Sequence, residues 1–112
     1  METLTTEELI LLLEDEPDTV LINVLDEDDF ATAHIPHSCN VPIGSDRFEE
    51  KVEEFVGSID TAIVVYGADA VSEASAIAAA RLEEAGFIRV YDYEGGLGEW
   101  LAVGRGVERG ST

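Results

Sequence analysis

Residues Ala62–Leu82 read AIVVYGADAVSEASAIAAARL, and the fold follows from how this stretch divides. Ala62–Tyr66 is an apolar, β-branched run of the length of a buried strand. The Ala-rich end is helical sequence in which Ile77, Ala78 and Leu82 share a face. Gly67–Ser72 joins the two, so it is a short loop running into a helix N-terminus. In an open α/β sheet such a loop lies beyond the carboxyl end of its strand, where ligands collect and free N–H groups converge. Any chemistry is expected here, yet Gly67–Ser72 contains no Cys, His, Lys or Arg.

The same alternation continues outward in both directions. Thr5 and Glu8 have capping-box spacing and open a helix with Leu9, Leu12 and Leu13 on it. Val20–Val24 reads as a second buried strand, and Asp26 as the cap of a short acidic helix, Glu27–Ala33. Pro36 and Pro42 bracket a short strand around Cys39–Val41. Ser45 is placed to cap a helix carrying Phe48, Val52, Phe55 and Val56, which Gly57 stops. Gly86 ends the central helix, Ile88–Tyr93 is a further strand, and Gly95 and Gly96 form a turn. Leu97–Val103 is the last helical segment, laying Trp100, Leu97 and Leu101 on the sheet. Residues 1–105 thus form one domain, and 106–112 are expected to fray as a tail. Strand alternating with helix means a parallel sheet covered on both faces.

Composition narrows the function classes. A hydrophobic share of 46% in 112 residues supports a folded core without disulfide staples. Against 25 acidic residues stand six basic ones, a net charge of −19, so nucleic acid and anionic membrane surfaces, which need a basic patch, are poor partners and neither is expected. The acids are spread through every segment, a pattern expected of a protein adapted to high salt, where short Debye lengths screen self-repulsion. The apolar runs are too short to span a membrane, and the acidic start is no signal peptide. The single cysteine, Cys39, permits no intrachain disulfide and fits a reducing cytoplasm.

Four stretches, INVLDEDDF, AHIPHSCNVP, IVVYGADAVSEASAIAAARLEEAGF and RVYDYEGGLGEW, together resemble a single-domain rhodanese-like (thiosulfate sulfurtransferase-type) protein. They run from Ile22 to Trp100 in the family's order and spacing. The resemblance implies a three-layer α/β/α fold around a five-stranded, mostly parallel sheet. It also implies a catalytic cysteine immediately after the central strand, carrying sulfur as a persulfide. Gly67 holds that position here, and a glycine has no atom to carry sulfur. Further departures accompany it: Asn23 and Leu25 replace a family Asp and Arg, and Val71 and Ser72 stand where many active members have an arginine. Ser72 also occupies the place of a second loop cysteine found in some members. Asp69 and Glu73 would repel thiosulfate or phosphate at the loop.

The loop Gly67, Ala68, Asp69, Ala70, Val71 and Ser72 is therefore expected to be a degenerate active site, with no catalytic residue. Gly67 also has a simple structural reading, a turn needing positive φ. Ser72 and Ser75 read as helix caps, since no histidine lies near them in sequence. His34, His37 and Cys39 are metal-ligand types on one short loop with Asp46 nearby, but a structural histidine and a buried thiol explain them better. Neither metal nor cofactor is expected. The preferred function is a binding or regulatory module for a protein partner. The rival is a sulfurtransferase using Cys39 or a partner's thiol, and Cys39, at the start of its strand, is expected at the sheet edge opposite the loop. A phosphatase-like anion pocket is the third reading.

Overall fold

A computed structural model of the chain describes residues 1–110. Ten elements follow one another as β1 (Glu2–Thr3), α1 (Thr6–Asp15), β2 (Val20–Asn23), α2 (Glu27–Thr32), β3 (Cys39–Asn40), α3 (Phe48–Phe55), β4 (Ile63–Tyr66), α4 (Ala74–Glu84), β5 (Val90–Tyr93) and α5 (Gly96–Ala102). The sheet has five strands in the order β1-β5-β4-β2-β3, and every pairing is parallel. "Mostly parallel" thus sharpens to wholly parallel. The fifth strand is Glu2–Thr3, too short and polar to show a strand pattern, which forms by adding to the edge of β5 at Tyr91 and Asp92.

Apolar side chains fill both faces of the sheet. On one, Ile22, Val65, Phe48, Val52, Ala78 and Leu82 pack strands against α3 and α4. On the other, Leu9, Val64, Tyr66, Tyr93 and Trp100 pack them against α1 and α5. Alternation along β4 makes this division: Val64 and Tyr66 point one way, Ile63 and Val65 the other, and all four are buried.

Local rules decide most of the helix ends. Thr5 and Glu8 form the reciprocal capping box. Gly86 takes φ +106 after α4, a conformation that costs a side chain but not glycine. Other expectations require correction. Asp26 sits at the N-cap of α2 without a side-chain cap bond. The cap of α3 is Arg47 at φ 60, not Ser45, because the turn continues two residues further. Ile77 and Leu101, both expected on buried faces, are 51% and 48% exposed; Ala78, Leu82 and Trp100 are buried as expected, and Ala79 takes the inward place of Ile77. The C-terminal segment, expected to fray from 106, is held over its described part. Trp100 Nε1 donates to Gly106 O, Glu108 exchanges backbone bonds with His34, and Gly110 N donates to Ala31 O. Ser111 and Thr112, the end of the expected tail, lie outside the described residues.

Candidate functional site

Gly67 follows β4 directly and is buried, whereas Ala68–Val71 are exposed. Its φ is not in the left-handed region, so the expectation of a positive-φ turn is corrected. A Cβ there would lie 3.8 Å from Val24 Cγ2, 3.9 Å from Ser72 Oγ and 4.0 Å from Ala74 Cβ, ordinary van der Waals distances. Neither backbone nor space therefore demands glycine at this position.

The demand falls on α5 instead. Gly96 has φ +61, and a Cβ on it would stand 2.5 Å from Gly67 O. At Gly98 a Cβ would meet Ala68 O at 3.2 Å. These two glycines let the start of α5 close onto the loop, where Leu97 N donates to Gly67 O at 3.0 Å and Gly98 N to Ala68 O at 2.7 Å. Loop carbonyls thereby satisfy amides that a helix N-terminus would otherwise leave open.

The loop's own amides turn inward. Val71 N and Ser72 N donate to Asp69 Oδ1 at 3.0 and 3.1 Å, an Asx turn. Ser72 Oγ accepts from Ala74 N at 3.3 Å, while Glu73, the N-cap of α4, makes no side-chain bond. Ser72 thus satisfies the first turn of α4 as expected, from one position upstream of the cap. A carboxylate of the chain itself holds the donors that an external anion would use.

Behind the loop lies a buried polar network. Tyr66 Oη accepts from Asn23 Nδ2 at 2.9 Å and from Ile35 N at 3.0 Å, and pairs with Ser38 Oγ at 2.8 Å. Burial raises the Tyr66 phenol above its ordinary range. Asn23 Oδ1 accepts from Leu25 N, so the amide serves as donor and acceptor at once, which a carboxylate could not do. A tyrosine in an apolar strand signals such a partner for its hydroxyl. The partners themselves are 28 to 43 residues away in sequence.

Cys39 is not on the opposite edge. β3 pairs with the carboxyl half of β2, putting Cys39 level with Ile22 and hence with Val65, two residues before Gly67. It packs against the same core face as Val65, but β2 lies between, a lateral gap of about 10 Å over two strand spacings. Cys39 lines a groove of about 650 Å³ with Phe30, Pro42, Lys51 and Phe55. Burial pushes its thiol up from the usual value, and no cation offsets it. His34 stacks on Phe30 and bonds its carbonyl through Nδ1, whereas His37 is exposed at φ 69. Among the described residues no three His, Cys, Asp or Glu side chains gather as metal ligands, and no helix is long and apolar enough to cross a membrane.

One acid was missed from sequence. Asp92 on β5 is 2% exposed, and its Oδ1 has no hydrogen-bond partner. A lone carboxylate in the strand run VYDY was the available signal.

Comparison with known proteins agrees with this architecture. The rhodanese-like domain from an Anabaena protein superposes with a TM-score of 0.82 at 27% identity, over 97% of this chain and 80% of that one. A thiosulfate sulfurtransferase from Pseudomonas aeruginosa gives 0.82 at 28%, with 98% of this chain covering only 20% of that one. A polysulfide-sulfur transferase from Wolinella succinogenes shares the fold, with a TM-score of 0.77 at 24% identity over 97% of this chain and 79% of that one. No curated protein matches the chain. The family model described as "Rhodanese-like domain" matches residues 5–103, and the chain belongs to that family.

Proposed function

We propose that this rhodanese-like domain turns over no sulfur and serves as a binding or regulatory module, with the loop Gly67–Ser72 and its surroundings as the recognition surface. One observation carries the reading. The residue at the end of the central strand, in the cradle between α4 and α5, is a glycine that the backbone does not require. Persulfide chemistry needs a thiolate that attacks sulfane sulfur, and lowering a thiol pKa needs free amides or a cation nearby. The position has no thiol, and the amides of Val71 and Ser72 are already engaged by Asp69. Asp69 and Glu73 also favour a neutral or cationic partner over an anionic one. The acidic surface and single thiol fit a reducing, salt-rich cytoplasm.

Incubation with thiosulfate and cyanide tests this at high KCl. The expected result is neither thiocyanate nor a dithiothreitol-sensitive mass gain of about 32 Da, one sulfur. Turnover that disappears in Cys39→Ser would establish the enzymatic rival instead. A Cβ at Gly67 makes only ordinary van der Waals contacts, so Gly67→Cys starts from a position without a backbone clash. Thiocyanate made only by that variant would identify the missing thiol as the whole defect.

A further inference from the structure

Asp92 lies directly beneath the site. It is in register with Val65 of β4 and with Thr3 of β1, so it points to the face covered by α4. On α4 the neighbouring polar group is the Ser75 hydroxyl, in the helix's first turn, itself 3% exposed. From β4 and β1 the residues in register, Val65 and Thr3, carry no charge. The charge that reaches Asp92 is Glu94, of like sign. The side-chain ion pairs of Arg81 and Arg89 are made elsewhere, with Glu49 and Glu16. The carboxyl is thus almost completely buried, has one oxygen without a partner, and lacks a counter-charge.

An ionised carboxylate in that setting has exchanged its hydration for the Ser75 hydroxyl alone, whereas the neutral acid fills the same space at lower cost. We propose that Asp92 is a proton-controlled seat for the first turn of α4: protonated, it lets the turn pack on the sheet, and ionised, it loosens that turn and the loop Gly67–Ser72 leading into it. The first part rests on burial and unsatisfied bonding alone. The second deepens the proposed function, since the loop is its recognition surface. Burial pushes the Asp92 carboxyl above the ordinary carboxylate range, against the smaller opposing effect of the Ser75 hydroxyl. The folded chain then holds this proton to higher pH than the unfolded chain does. Its contribution to stability is full below the ordinary aspartate range and declines as pH rises through the raised midpoint.

Two site-resolved measurements on the whole chain test the device. The Asp92 carboxyl carbon resonance should titrate later than those of the exposed acids. Exchange of the Ile77 and Ala78 amides, corrected for intrinsic base catalysis, should quicken at least tenfold across the same midpoint. Ile77 N is bonded to Glu73 O, so its exchange reports on the first turn. Asp92→Asn should abolish the step. Ser75→Ala should move it to higher pH, because it removes the group that favours the ionised form, and this variant decides the matter if Asp92→Asn does not fold. Titration of Asp92 together with the surface acids would overturn the proposal. So would an exchange step that persists in Asp92→Asn, or one that Ser75→Ala leaves in place. None of these readouts depends on sulfur transfer, so their failure is separate from any failure of the inactive-module reading.

Discussion

The loop after β4 and the groove beside β3 divide between them what sulfur chemistry requires. The loop has the position, beyond the central strand and at the start of α4, but no thiol. The groove has the thiol, Cys39, level with Val65, but burial there raises its pKa and disfavours the thiolate. β2 stands between them. A nucleophile is defined by its surroundings as much as by its element, and the two requirements are met here in different places, which is the ground of the inactive-module proposal.

Removing the packing that shapes the loop is expected to have the largest effect. In Gly96→Ala the new methyl meets Gly67 O at 2.5 Å, in a backbone of φ +61, and a loss of about 3 kcal/mol is expected in urea unfolding. An unchanged midpoint would mean that α5 does not hold the loop. Next comes the network behind it. Tyr66→Phe strands the buried donors Ile35 N and Asn23 Nδ2, at a cost of about 2 kcal/mol by the same measurement. Salt acts on both regions through the acidic shell. The thermal midpoint should climb by several degrees between ~0.1 and ~2 M KCl, as repulsion within a chain of charge −19 is screened. A flat or falling curve removes the high-salt reading.

Smaller effects separate the two regions more finely. Asp69→Ala frees Val71 N and Ser72 N, so sulfate should produce saturable amide shifts there that the natural loop does not show. Identical titrations would mean that Asp69 is irrelevant to anion exclusion. At the groove, the raised Cys39 pKa predicts alkylation by iodoacetamide several-fold slower than for free cysteine at neutral pH. Faster reaction would return Cys39 to the list of candidate nucleophiles.

Both regions were partly legible in the sequence, for different reasons. Gly67 could be located because strand, loop and helix each carry a local signature, and the central register is fixed by one apolar run. Its backbone could not: the positive φ expected there belongs to Gly96, since the loop and α5 meet only in three dimensions. Cys39 was placed on the correct strand but the wrong level. A strand's direction follows from topology rules, whereas its stagger depends on where the preceding loop lets it pair.

The sequence by itself determined the alternation of strand and helix, the capping of α1, the turn after α4, the resemblance to rhodanese-like domains and the glycine that directly follows the central strand. These are matters of composition and short-range spacing, over distances a local hydrogen bond or a helical turn spans. Tertiary structure alone decided that Glu2–Thr3 is a strand, that Glu108 is tied to His34, that Tyr66 gathers Asn23, Ile35 and Ser38, and that Asp92 is buried without a counter-charge. Each depends on residues far apart in the chain, whose meeting is fixed by the packing of whole layers rather than by any local preference.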